Sequence, residues 1–377
     1  MFKYLHIMPQ GSVEHNGGII NLITSSDIGF NASEHSFIIF YKDVYEEFQN
    51  YSNVFYYENL YKTNFVKFTE LSEKYDLIIL HSNTLSLLQL YRIPEKILNK
   101  IVWVVWGQDL YSSNNYNILN PISTLKRFVR DSIWTLKKNK IKKFKAIGVG
   151  FEYDVVRVKK LFGEKINLVQ LPYGYKRNNI DELNTNILKY KENVSPINKP
   201  YKIMIGHSAF KFIKHKKIID KLAKFKDENI LISLVLSYGD ERYADAIEKY
   251  ALEKFQDRNK IEIIKDYLSK EEYWEYLQSV DVCILDYTHQ SALGNVYLLL
   301  YFGKKLILNR NGVIKKGLDD EQIKTFTVND LDKLDFNELV RPLSNDEICR
   351  ENIVGKFYLS EKDIGNSWLV NLNELKS

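Results

Sequence analysis

The strongest constraint on this chain is a rhythm. Short runs that are apolar at nearly every residue alternate with longer segments of helical periodicity, and the series starts over near residue 201. Strand-like runs stand at residues 4–8, 37–41, 54–57, 77–81, 101–105, 146–149 and 168–171, then at 203–205, 230–236, 261–264, 282–285 and 306–308. Helical segments such as 18–25, 84–90, 214–226, 243–255 and 270–279 separate many of them. Strands apolar on both faces need cover on both faces, so the pattern predicts parallel sheets sandwiched between helices. A chain of 377 residues exceeds one ordinary core. The expectation is an α/β protein of two Rossmann-like domains facing each other across a cleft, residues 1–175 and 201–355. Residues 176–200, "KRNNIDELNTNILKYKENVSPINKP", are polar, Asn-rich and closed by two prolines, which predicts a linker with a single helical turn. Residues 356–377 are expected to form a C-terminal helical segment that packs back on the first domain.

Composition removes several classes. A hydrophobic fraction of 45% with 27% charged residues is that of a soluble globular protein. The two cysteines, Cys283 and Cys349, supply neither a disulfide framework nor a zinc site, and Cys283 lies inside an apolar run. A reducing cytoplasm fits. The opening "MFKYLHIMPQGS" is too quickly interrupted for a signal peptide, and no apolar run reaches the roughly 18 residues of a membrane span. Net charge is only +5, but from Lys126 to Lys145 nine Lys or Arg stand against one acid, Asp131. Ile122, Leu125, Val129, Ile133 and Leu136 make one stripe of that segment. A basic amphipathic helix fits an anionic membrane surface, and a solvated face is the plainer alternative. No nucleic-acid-binding motif accompanies it.

In open α/β sheets ligands sit beyond the carboxyl ends of strands. After the first strand, "PQGSVEHNGGI" offers Gly11 for close backbone approach and His15 and Asn16 as polar tips. It lacks the G-x-G-x-x-G fingerprint, so no nicotinamide cofactor is expected. After the fifth strand, "VVWGQDLY" presents Trp106, Gly107, Gln108, Asp109 and Tyr111. Asp109 suits a base for an acceptor hydroxyl, and equally a cap on its own turn. The second domain opens with Gly206, His207 and Ser208, a turn able to hold phosphate, with Lys211 nearby. Tyr238 and Gly239 follow the next strand, and Tyr267 follows the one after. In "THQSALGNVYLLLYFGKK", Gln290, Ser291, Gly294 and Asn295 open an otherwise apolar helix, where free N–H groups suit a diphosphate. An ordinary Ser N-cap explains part of the same pattern.

The ordered set "WGQDLY", "IGHSAFKFIKH" and "YLSKEEYWEYLQSVDVCILDYTHQSALGNVYLLLYFGKKLILNR" resembles the bacterial TDP-Fuc4NAc:lipid II Fuc4NAc transferases, the 4-alpha-L-fucosyltransferase family of enterobacterial common antigen synthesis. The resemblance implies a GT-B fold, a nucleotide-sugar donor (TDP favoured), a lipid-linked glycan acceptor, no bound metal or cofactor, and inversion at the anomeric carbon. It implies catalytic roles for Asp109 and His15. Donor contacts are expected from Gly206, His207, Ser208, Lys211, Tyr238, Gly239, Tyr267, Gln290, Ser291, Gly294 and Asn295. Acceptor contacts are expected from Gly11, Asn16, Trp106, Gly107, Gln108 and Tyr111. Ala209-Phe210 stand where the family's turn continues Gly-Asp, so a UDP- or GDP-sugar transferase of the same architecture stays open, as does a non-catalytic sugar-nucleotide-binding subunit. The expected location is cytoplasmic, peripheral at the inner face of a cell membrane through the basic helix.

Overall fold

The computed structural model describes residues 2–8, 13–40, 46–58, 65–111, 121–172, 180–193 and 199–376. The chain divides into two compact units, Met1–Lys176 with Glu361–Ser377, and Arg177–Ser360.

Unit 1 is built on seven strands: β1 (Tyr4–Met8), β2 (His35–Ile39), β3 (Val54–Tyr56), β4 (Leu77–His81), β5 (Ile101–Val104), β6 (Ala146–Val149) and β7 (Leu168–Gln170). They lie in the order β3-β2-β1-β4-β5-β6-β7, every pair parallel. The period of two along each strand sorts side chains to two cores. Leu5, Ile7, Ile38, Leu80 and Trp103 pack on one face, and Tyr4, Met8, Phe37, Ile39 and Val104 on the other. The second core is closed by the helix Glu361–Glu374, whose Ile364, Trp368 and Leu372 are buried. Trp368 donates its indole N–H to the carbonyl of Pro172 at 2.7 Å, so its polar edge is satisfied where its ring is buried.

Unit 2 repeats the design with β8 (Tyr201–Ile205), β9 (Ile230–Val235), β10 (Ile261–Ile264), β11 (Val282–Leu285), β12 (Lys305–Leu308) and β13 (Phe326–Thr327), in the order β10-β9-β8-β11-β12-β13 and again all parallel. In both sheets the first strand is flanked by its second and fourth. The crossovers therefore leave in opposite directions on either side of β1 and of β8, and each such junction opens a crevice at the strands' carboxyl ends.

Two boundaries differ from the sequence reading. Residues 176–200 contain the helix Ile180–Asn193, in which Leu183 and Asn186 are buried and Ile187 and Tyr190 half-buried at helical spacing. It packs on the helix Lys270–Ser279, where Gln278 Nε2 donates to Asn186 Oδ1 at 2.5 Å. The C-terminal crossing falls between Ser360 and Glu361 rather than at 355/356, because the helix Asn345–Leu359 packs on Leu293–Tyr301 in unit 2. Among the described residues no helix is long and apolar enough to cross a membrane.

Candidate active site

The junction of β8 and β11 gathers most of the expected donor residues. Gly206 follows β8 with φ +70°, and a Cβ there would stand 2.6 Å from Ile213 Cγ2 and 2.8 Å from His215 Nε2. Only glycine fits both the left-handed backbone and the space. The turn thus made buries His207, 4% exposed, and the fully buried Ser208. His207 Nε2 lies 3.1 Å from Ser291 Oγ, a contact spanning the β8 and β11 loops. Its Nδ1 is buried without a protein partner among the described residues. Burial, with His289 adding to it, pushes the imidazole down to about 4, so His207 is neutral near pH 7.

From β11 the chain passes through Asp286, whose side chain is wholly buried, 2.8 Å from Lys217 Nζ and 3.6 Å from Lys214 Nζ. Asn309, from the end of β12, donates its amide to the same carboxylate. A buried carboxylate without such partners would cost several kcal/mol. Tyr287 donates its hydroxyl to the Ser291 carbonyl at 3.0 Å and holds the loop against His207, with ring centroids 5.6 Å apart.

The helix Leu293–Tyr301 then starts without a side-chain cap. Ala292, at φ +54°, occupies the N-cap, and Ser291 is turned to His207 instead. The alternative of an ordinary Ser N-cap is therefore set aside. Gln290 Oε1 is buried beside this start with no protein partner among the described residues. Gly294 is half-buried in the first turn. Asn295 is half-buried in the same turn. Lys211 is exposed in the short turn Lys211–Ile213.

Beside the junction, Gly239 takes φ +120° where a Cβ would meet the Ala209 carbonyl at 2.8 Å. This close approach locks the β8 and β9 loops together through Ala209 N–H to the Tyr238 carbonyl at 2.7 Å. Tyr238 and the largely exposed Tyr267 face each other nearly parallel, 16° between planes and 6.5 Å between centroids. Tyr238, Gly239, Leu236, Ala244 and Lys265 line an adjoining cavity of about 300 Å³. The sequence reading did not single out Asp286, Lys217 or the aromatic wall of Phe212, Tyr287 and His289, although Asp286 carries the same strand-end signal as the residues it did choose.

In unit 1, Gly11 lies outside the described residues, as do the side chains of His15, Gln108 and Tyr111. His15 and the buried Asn16 belong to the helix Val13–Thr24 that follows β1. Gly107 has φ +90° after β5, and Trp106 is half-buried beside it. Asp109 does not point free into a crevice. Its Oδ2 accepts from Trp103 Nε1 at 2.6 Å and from the Asn83 amide at 2.9 Å, and its Oδ1 accepts from the Trp106 amide at 3.0 Å. Three donors on one carboxylate make it a clamp that joins the β4 and β5 loops, in line with the capping alternative.

Behind that loop lies a feature the sequence reading missed. His81 Nε2 and His6 Nδ1 are 3.0 Å apart, and His6 Nε2 and His35 Nδ1 are 2.9 Å apart, so three buried imidazoles form one chain across β4, β1 and β2. Burial pushes both His81 and His35 down to about 3, with Lys376 adding to the effect on His35. Among the described residues no three His, Cys, Asp or Glu side chains are grouped so as to hold a metal ion.

Residues 181–354 match the family model described as 4-alpha-L-fucosyltransferase glycosyl transferase group 56. Among solved structures, the Anabaena protein HepE in complex with UDP and glucose superposes with a TM-score of 0.62 at 11% identity, covering 99% of this chain and 100% of that one. A glycosyltransferase from Rickettsia africae gives 0.62 at 13% identity over 100% and 99% of the two chains. The UDP-forming alpha,alpha-trehalose-phosphate synthase of Burkholderia vietnamiensis gives 0.63 at 9% over 100% and 99%. At these identities the likeness is one of fold, and that fold is GT-B.

Proposed function

We propose that this chain, a GT-B glycosyltransferase whose residues 181–354 match the group 56 family, moves a deoxy-amino sugar of the Fuc4NAc kind from TDP to a hydroxyl of a lipid-linked glycan in bacterial surface polysaccharide synthesis. The observation that carries this reading is the His207–Ser291 contact at the unit 2 junction, beside an uncapped helix start. A diphosphate seated there meets open backbone N–H groups at the positive end of the helix. His207 is neutral, so it carries one proton. If the Ser291 hydroxyl donates to Nε2, the free Nδ1 bears the proton and donates to a phosphate oxygen, and an anionic ligand selects that tautomer. Charge developing on the departing diphosphate is then met by preorganised donors, without a metal. The nearly parallel Tyr238 and Tyr267 offer stacking faces for the nucleobase.

On the acceptor side, His15 is the base we favour, because Asp109 spends its oxygens on Trp103, Asn83 and Trp106. Attack by the deprotonated hydroxyl on the anomeric carbon from the face opposite the diphosphate gives inversion.

The basic helix Pro121–Ile141 supports attachment to an anionic leaflet at the cytoplasmic face. Ile133 and Leu136 are exposed on it, Leu88 and Tyr91 are exposed on the neighbouring helix Leu87–Arg92, and Lys140 Nζ sits 4.4 Å over the Tyr91 ring. Each lysine near such a surface adds about 1 kcal/mol. The double substitution Ile133→Asp, Leu136→Asp should cut sedimentation with phosphatidylglycerol vesicles several-fold while sparing transfer to a water-soluble acceptor. Unchanged sedimentation removes the membrane from the proposal.

A second reading, a UDP- or GDP-sugar transferase for capsule, O-antigen or protein glycosylation, draws on the UDP bound to HepE. Melting curves with TDP-, UDP- and GDP-sugars separate the two, since the true donor at about 100 times its Kd adds about 2.7 kcal/mol. Mass spectrometry of the product then identifies the sugar moved. Donor binding with no turnover on any hydroxyl acceptor would leave a binding subunit and sink the transferase mechanism.

A further inference from the structure

At the opposite end of the unit 2 sheet lies a pocket of about 350 Å³ that the transferase reaction does not use. Four elements wall it. The helix Ile180–Asn193 gives Asn184 and Tyr190, and Lys270–Ser279 ends in it with Gln278. Tyr301 ends Leu293–Tyr301, Lys304 precedes β12, and Asn352 comes from Asn345–Leu359. Ile187, Phe302 and Ile348 supply apolar floor.

Helix carboxyl ends repel anions unless their carbonyls are covered. Here they are. Lys304 Nζ donates to the Gln278 carbonyl at 2.6 Å, and Asn352 Nδ2 donates to the carbonyls of Tyr301 at 2.6 Å and Leu300 at 3.3 Å. The Tyr301 hydroxyl occupies Asn184 Oδ1 at 2.7 Å, which leaves the two N–H bonds of Asn184 Nδ2 unclaimed among the described residues. Two N–H bonds of Lys304 and the Tyr190 hydroxyl are likewise uncommitted. The pocket therefore presents a cation and a surplus of donors in a space larger than one phosphate. Of the charges that bear on Lys304, Asp281 is already held by the Lys202 amide at 2.8 Å and by Lys199 Nζ at 3.9 Å.

We propose that this pocket is a second ligand site, for a small phosphorylated sugar or polyol, with its phosphate on Lys304 and its hydroxyls on Asn184, Tyr190 and Asn352. The site is separate from the donor junction and does not rest on the transferase reading. Burial and Lys199 lower the Lys304 amine to about 8, with Asp281 opposing. Burial, Asp281 and Glu275 push the Tyr190 hydroxyl up, so it stays protonated across the same range. A phosphate monoester, with its second ionisation near about 6, is a dianion throughout. Binding must then weaken as pH rises past Lys304, and the weakening belongs to the protein.

The test is isothermal titration of the full chain with glucose 6-phosphate, with glucose as the uncharged control. Saturable binding is expected at pH 7.5, about 10-fold or more weaker at pH 9.5, and absent for glucose. It should be lost in Lys304→Met and at least about 10-fold weaker in Asn184→Leu, an exposed position whose replacement leaves the fold intact. It should persist in His207→Ala. No saturable binding, full binding by Lys304→Met, or loss in His207→Ala, which would place the ligand at the donor junction, each overturns the site.

Discussion

The two units share one strand order and place their polar groups in opposite ways. In unit 2 the buried polar groups of the junction sit where strands end, at His207, Ser208, Asp286 and Gln290, and three of their polar atoms, His207 Nδ1, Ser208 Oγ and Gln290 Oε1, have no protein partner among the described residues. In unit 1 the polar groups reach into the sheet itself, and His6, midway along β1, is bonded on both nitrogens by other histidines. Groups left open at strand ends are free to meet a ligand, whereas groups closed on each other within a core contribute to order and depend on staying uncharged.

Acid breaks this comparison most strongly. His35 and His81 are held down at about 3, so their neutral forms favour the folded state. That contribution is complete above about 6.5 and is lost as pH falls from 6.5 toward 3, on the order of several kcal/mol for the linked chain as a whole. His207 and His215, held at about 4, lose less over a shorter window. Hydrogen exchange followed by mass spectrometry should show β1, β2 and β4 opening at higher pH than β8 and β9. Simultaneous opening would remove the distinction.

His6→Leu comes next. It leaves His35 Nδ1 and His81 Nε2 buried without their partner, at about 1–3 kcal/mol each. Replacing all three histidines with apolar residues should recover most of the loss in urea melts, and failure to recover would mean that the chain's worth is packing alone.

In unit 2, Glu351 is 1% exposed, neither oxygen has a protein partner among the described residues, and burial with Glu347 nearby pushes its carboxyl up to about 9. Its neutral form is the one the fold accepts, so stability falls as pH rises from about 4.5 toward 9. Glu351→Gln should flatten that dependence and gain about 1–3 kcal/mol at pH 9. A melting temperature as pH-dependent as before would contradict it. Tyr267→Ala has the smallest expected effect, about 1 kcal/mol or 5-fold in nucleotide Kd with folding stability unchanged, since the ring is largely exposed.

The sequence carried the fold well because each strand is an apolar run and each run was bounded by polar turns. It placed Gly206, His207 and Ser291 at one junction because each follows a strand, and the contact between His207 and Ser291 shows them meeting there. The helix Ile180–Asn193 was hidden by Asn-rich composition, although Leu183, Asn186, Ile187 and Tyr190 hold its periodicity. The histidine chain was not legible, because only strand register brings residues 29 and 75 positions apart into contact. Asp109 looked free because its partners, an indole and two backbone amides, leave no trace in a motif.

Unit 2 is, in topology, an insertion within unit 1, and the helix Glu361–Glu374 is made only after all of Arg177–Ser360. During synthesis unit 2 has every residue it needs while unit 1 still lacks Trp368, so His81 has no indole to stack on and the Pro172 carbonyl has no donor from it. The unit begun first is therefore the one completed last, and the waiting nascent chain keeps a strip of apolar sheet uncovered for the whole time the ribosome spends on its neighbour.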